Sequence, residues 1–116
     1  MNSLTSIMKI VMVFFLLLCA STVNAVCNGY SLAIGNRQDW AGRGSWTVYR
    51  NDCSVVTSWV GNNPCTDSGI FSCSPAPIHF NQFRDAAGTM HYCVPEPARE
   101  ACGNALGPDI LSVCCY

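Results

Sequence analysis

From Ser45 to Val60 apolar and polar side chains alternate on both sides of Asn51-Asp52, a dipeptide that tolerates the positive φ of a tight turn. The pattern predicts a β-hairpin. A two-residue loop would set Arg50 opposite Cys53, Val48 opposite Val55 and Trp46 opposite Thr57, so that Trp46, Val48, Cys53, Val55 and Trp59 share the core face. Thr47, Tyr49, Val56 and Ser58 fall on the other face, which is half polar and expected to be wet. Ile78 to Phe83 and Thr89 to Val94 form a second hairpin pattern around Asp85-Ala86-Ala87-Gly88. Ile110 to Tyr116 is a nearly continuous apolar run, as a strand covered on both faces requires. Val26 to Ile34 reads as a short strand with Tyr30, Leu32 and Ile34 on one face and Ser31 and Ala33 on the other.

One helix is predicted. Behind Pro95-Glu96-Pro97, residues Ala98, Ala101, Cys102 and Ala105 stand at i, i+3, i+4 and i+7, a narrow stripe of small residues. Pro97 suits the first turn and Gly107-Pro108 the stop, while Gly103 in the interior costs about 1 kcal/mol. Gly35 to Gly44 and Gly61 to Pro77 lack periodicity and are rich in turn formers, so both read as loops, the second tied by its two Cys. The expected fold is α+β: a small disulfide-stapled antiparallel sheet of two hairpins and a C-terminal strand, with one short helix.

Ahead of this pattern, Lys9 precedes the apolar run Ile10 to Ala20, and Val23 and Ala25 stand at −3 and −1 of a cut after Ala25. The run of 11 residues falls short of the roughly 20 that span a bilayer, so residues 1–25 read as a cleaved signal peptide and 26–116 as one secreted, extracellular domain. Cys19 leaves with the signal. Eight cysteines remain, Cys27, Cys53, Cys65, Cys73, Cys93, Cys102, Cys114 and Cys115, which in an oxidising compartment make four bridges with the pairing open. Each bridge contributes on the order of 3 kcal/mol to a core that otherwise roughly breaks even against chain entropy. No C-x-x-C occurs, so neither a metal site nor a redox pair is expected, and no cofactor is. Neighbouring side chains on a strand point to opposite faces, so Cys114 and Cys115 should reach different partners and pin the last strand from both sides.

Charge narrows the partners. Residues 26–116 hold 5 Arg, no Lys and 7 acids, a formal charge near −2, which argues against nucleic acid and against binding to an anionic membrane. A monomer is expected. Arg37, Trp40 and Arg43 lie within seven residues of a Gly-flanked loop, and Trp and Arg dominate contact hot spots, so this trio is the candidate binding site unless Trp40 folds back over the core. Aromatic side chains also stack on sugars, which leaves protein and glycan both open as partners. His79 and His91 share the second hairpin, where two imidazoles could serve as acid and base of a small ribonuclease-like hydrolase, with Glu96, Glu100 or Arg84 completing the site. No G-x-S-x-G elbow is present, and Asp39, Asp52, Asp67, Asp85 and Asp109 stand singly beside turn formers, where acids cap turns. No N-x-S/T sequon occurs.

The terminal Leu111-Ser112-Val113-Cys114-Cys115-Tyr116, with the apolar leader and eight cysteines in a short chain, resembles the small cysteine-rich secreted proteins of fungi. That class includes candidate plant-interaction effectors and killer or antifungal toxins. The resemblance implies an extracellular protein acting on another organism by contact, as a virulence effector does. The absence of Lys after the leader argues against membrane disruption. The expected function is thus an effector-like module that binds a host or competitor protein or glycan through surface loops. The alternatives are a small secreted hydrolase, a killer toxin, or a protease inhibitor presenting Ser72 to Pro77.

Overall fold

A computed structural model describes residues 25–74 and 77–116; all but the last residue of the expected export signal and part of the Ser72 to Pro77 segment lie outside them. Among the described residues nine strands and one short helix follow in order: β1 (Leu32–Gly35), β2 (Gln38–Trp40), β3 (Arg43–Arg50), β4 (Val55–Gly61), α1 (Pro64–Asp67), β5 (Phe71–Ser74), β6 (His79–Arg84), β7 (Met90–Pro95), β8 (Ala101–Asn104) and β9 (Gly107–Cys115). All pairings are antiparallel, in the order β2-β3-β1-β9-β7-β6-β5, with β4 on the free side of β3 and β8 on β9. The architecture is therefore more sheet-dominated than an α+β fold.

The apolar run at the end of the chain forms the centre, as its pattern requires. The C-terminal half of β9 pairs with β1 on one side and β7 on the other, and its N-terminal half pairs with β8. Val113 and Cys115 point into an aromatic core with Leu32, Ile34, Trp46, Val48, Phe71, Phe80 and Phe83. Cys114 points the other way, into a second core with Val26, Cys27, Ala33, Tyr49, Cys102 and Leu111. A bulge at the Ile34/Gly35 step, where one step of β1 answers two of β9, turns Leu111 to this second face. Cys114 bridges to Cys27 and Cys115 to Cys93, so the adjacent pair does pin β9 from both sides. Cys53–Cys102 and Cys65–Cys73 complete the four bridges.

The first hairpin forms in a different register. Trp46 faces Trp59 and Val48 faces Thr57, a shift of two residues: one comes from a connection of three loop residues rather than two, the other from a bulge between Val48 and Tyr49. Cys53 takes a left-handed conformation (φ 66°), its N–H bonding the Arg50 carbonyl, and the Arg50 N–H then reaches the Ser54 carbonyl at 2.8 Å. A shift of two keeps Trp46, Val48 and Trp59 on the core side. It leaves Val55 48% exposed and, through a bulge beside Tyr49, packs Val56 against the aromatic core. Thr47 and Tyr49, expected to be wet, are fully buried beneath the second face's cover.

That cover explains the other corrections. The stretch expected to be helical holds β8 instead, with Cys102 buried, Asn104 partly buried, and Ala101 and Gly103 exposed, an alternation of period two. Pairing with β9 and the bridge to Cys53 outweigh a weak stripe interrupted by Gly103. Among the described residues the one helix is α1, inside the expected 61–77 loop, where Pro64 opens it and Asn63 Oδ1 accepts the Cys65 N–H at 3.0 Å. Of the first predicted strand, Val26 to Ile34, only Leu32 to Ile34 lies in β1. The Val26 to Tyr30 stretch instead crosses the second face, held by the Asn51 side-chain amide, which donates to the carbonyls of Val26, Cys27 and Tyr30. The second hairpin forms as expected, with Phe83 opposite His91.

Candidate functional site

The segment expected to be a loop at 35–44 is a tight hairpin. Ala41 (φ 50°) and Gly42 (φ 81°) both take positive φ, the backbone a two-residue turn needs, and Trp40 pairs directly with Arg43 across it. For Ala41 this left-handed conformation costs roughly 1–2 kcal/mol relative to a right-handed one. Strand alternation then divides the three candidate residues. Gln38 and Trp40 project to the second face, whereas Asp39, opposite Gly44, projects to the aromatic face. Arg37 follows Asp39: it forms an ion pair with that carboxylate and closes over Gly44, where a Cβ would stand 2.9 Å from Arg37 Nε and 2.4 Å from the Trp46 ring. The structure brings Trp40 and Arg43 together. Arg37 belongs to a separate cleft on the other side, with Asn36, Trp46, Pro77, Ile78 and Phe80.

Trp40 does not fold back over the core, being 53% exposed. Its position is set one pleat away, at Gln38. The Gln38 side-chain oxygen accepts from Asn104 Nδ2 at 2.8 Å, and its nitrogen donates to Asn104 Oδ1 and to the carbonyls of Gly107 and Pro108. Asn104 Nδ2 also donates to the Tyr49 hydroxyl at 2.8 Å, which in turn donates to Asp109 Oδ2 at 2.7 Å. The Asn36 N–H donates to Asp109 Oδ1 at 2.9 Å. Burial raises the Asp109 carboxyl above its ordinary value, against the lowering effect of those two donors. Burial likewise pushes the Tyr49 hydroxyl well above its ordinary value, with the Asp109 carboxylate adding to the shift. Asp109 is thus a buried anchor rather than the turn residue its neighbours suggested. Gly35 makes room for it, since a Cβ there would lie 1.9 Å from Asp109 Oδ2.

The histidines stand apart. His91 Nε2 bonds Asp85 Oδ2 at 2.8 Å and its ring stacks on Phe83, while His79 is exposed at the far end of β6 opposite Ser74. His91 lies across from Phe83, four residues along from His79, which separates the two by roughly 13 Å at strand spacing. The Asp85 carboxylate is held below its usual range, first by His91 and then by the Thr89 and Ala87 N–H groups. Glu96 and Glu100 line another cleft, with Tyr30 and the Cys27–Cys114 bridge. The two sulfurs there and a Glu96 carboxylate oxygen lie within 4.8 Å of one another, but joined in a disulfide the sulfurs offer no thiolate to a metal ion.

Sequence reasoning missed the Gln38–Asn104–Tyr49–Asp109 chain, whose one sign was an acid at the head of the most apolar strand. Compared with known proteins, the chain matches no family model, no curated protein and no solved structure.

Proposed function

We propose that this protein is a secreted, non-enzymatic interaction module of effector type, and that the Trp40–Arg43 end of the β2–β3 hairpin is where it grips a protein or glycan of another organism. One observation carries the reading: a Trp more than half exposed, beside an Arg, on a turn with Ala in a left-handed conformation, anchored at Gln38 by side-chain bonds to another hairpin. An exposed indole beside a guanidinium is the pairing that dominates contact hot spots. Local strain held by its surroundings is characteristic of binding loops. Arg37 supports the site from behind, through Gly44, rather than from the contact face. The separation of His79 from His91 favours this reading over an acid–base pair acting on one bond.

The test is affinity capture from plant extracellular fluid with three baits: the oxidised protein, a reduced and alkylated copy, and the oxidised Trp40→Ala/Arg43→Ala variant. A protein or glycan held by the first bait and lost from the other two is the expected result. Undiminished capture by the double variant would move the site elsewhere. Capture by no bait would bring nuclease and glycosidase assays of His79→Ala to the front.

A further inference from the structure

A second surface, away from the Trp40 hairpin, has its own chemistry. Tyr30 precedes β1, Tyr92 lies in β7 and Tyr116 follows β9, so three strands that run side by side each bring one tyrosine to the same end of the sheet. Tyr92 and Tyr116 exchange both backbone hydrogen bonds. Their ring centroids lie 6.3 Å apart, and Tyr30 lies 6.0 Å from Tyr116 on the other side. The rings are tilted by 33° and 43°. Tyr92 is 51% and Tyr116 60% exposed. A continuous aromatic row left in water on so small a domain marks a contact surface.

The row leads into acid. On β7 the alternation that exposes Tyr92 sets Val94 and then Glu96 on the same side, and Tyr30, Val94, Glu96 and Glu100 line one cleft of about 370 Å³ over the Cys27–Cys114 bridge. No basic side chain is among its lining residues, and Arg99, between the two acids in sequence, is exposed outside it. Glu100 Oε1 accepts the Cys27 N–H at 3.1 Å, and Glu96 Oε1 accepts the Ala98 N–H at 2.9 Å. Glu96 Oε2 is closed off from solvent with no hydrogen-bond partner among the described residues. A buried carboxylate oxygen without a donor is costly, so the Glu96 carboxylate gains by turning toward a donor that enters the cleft.

We propose that the tyrosine row and the Glu96–Glu100 cleft bind an extended peptide segment carrying Lys or Arg at alternate positions. Side chains on one side of an extended chain repeat at roughly 6.6 Å, close to the spacing of the rings, so successive cations would stand over successive tyrosine faces. The last would enter the cleft and donate to the carboxylates. A neutral glycan would use the rings and the hydrogen-bond acceptors but would gain nothing from the charge.

The oxidised protein is titrated by calorimetry with the peptide Gly-Lys-Gly-Lys-Gly-Lys-Gly, its Lys-acetylated form, and cellotetraose and chitotetraose. The proposal expects binding of the basic peptide alone, weakened by salt. Tyr92→Leu/Tyr116→Leu, which keeps apolar bulk and removes the ring faces, should lower affinity roughly tenfold, the effect of losing two exposed cation–π contacts. Glu96→Gln, nearly the same shape, should lower it severalfold, while Trp40→Ala leaves it unchanged, which separates this surface from the hairpin site. Equal binding of the acetylated peptide, binding of a tetrasaccharide in place of the peptide, no binding at millimolar peptide, or full affinity in the folded tyrosine variant would each overturn the proposal.

Discussion

The two faces of the central strands are held by different means. On the aromatic face, Trp46, Phe71, Phe80 and Phe83 supply volume, and the bridges are local: Cys65–Cys73 spans 8 residues of chain and Cys93–Cys115 spans 22. On the second face the cover is a turn-rich N-terminal stretch and the short β8, and the bridges are long: Cys27–Cys114 spans 87 residues and Cys53–Cys102 spans 49. Where apolar volume is scarce, covalent closure and a chain of hydrogen bonds do its work. Both proposed contact surfaces lie on this thinly covered side, which leaves Trp40, Tyr92 and Tyr116 in water.

Unequal bridges are the sharpest way to break this comparison. Closing the longest loop is worth about 4.5 kcal/mol in the chain-entropy model, against about 2.5 for the shortest. Cys27→Ser/Cys114→Ser should therefore cost roughly twice what Cys65→Ser/Cys73→Ser costs, read from urea midpoints. Equal losses would mean that the second face is held by its packing after all. Phe83→Ala comes next, at about 4 kcal/mol for a fully buried ring in the aromatic core. That loss should persist in the Cys65→Ser/Cys73→Ser background, because packing and closure act there independently.

The aromatic face was also the more legible in the sequence. The hairpin pattern of Ile78 to Phe83 and Thr89 to Val94 and the apolar run into Val113 predict β6, β7 and β9, and the adjacent Cys114-Cys115 predicts a strand pinned from both sides. The second face was not, because its cover carries an ambiguous pattern. Ala98, Ala101, Cys102 and Ala105 fit a helical stripe, and Cys102 with Asn104 fit a strand; only pairing with β9 and the bridge to Cys53 decide between them. The register of the first hairpin depended on Cys53 accepting a left-handed conformation, which is uncommon for a residue with a side chain. Trp40 and Arg43 are close in sequence and were readable as a candidate pair, but their separation from Arg37 follows from strand alternation in a segment that reads as a loop. Tyr30, Tyr92 and Tyr116 are far apart in the chain and meet only through the sheet order.

Hydrogen bonding on the second face sets the next prediction. Tyr49→Phe removes the side-chain donor to Asp109 and an acceptor from Asn104, leaving the carboxylate, among the described residues, with the Asn36 N–H, and should cost about 2 kcal/mol. Because Asn104 also holds Gln38, the same change should loosen the Trp40 hairpin, visible as faster amide exchange at Ser45, the partner of Gln38. Unchanged exchange there would detach the hairpin's position from this chain of bonds.

The smallest effect separates the two faces by sign. Asp109 has its carboxyl raised in the fold, so the folded protein holds that proton more tightly than the unfolded chain; its contribution is greatest below the unfolded value of 3.8 and is lost as pH rises through the folded value. Asp85, bonded to His91 at the end of the aromatic-face hairpin, is shifted the other way; its contribution is present above 3.8 and is lost as pH falls through its lowered value. Asp109→Asn should therefore remove a component of stability that falls with rising pH, and Asp85→Asn one that rises. Unfolding midpoints of both variants and the wild type, measured at a series of acid pH values, give the two slopes. Slopes of the same sign would show that Asp109 is as well compensated in its buried site as Asp85 is at the surface, and the second face would then be as strongly organised by its polar groups as the aromatic face is by its rings.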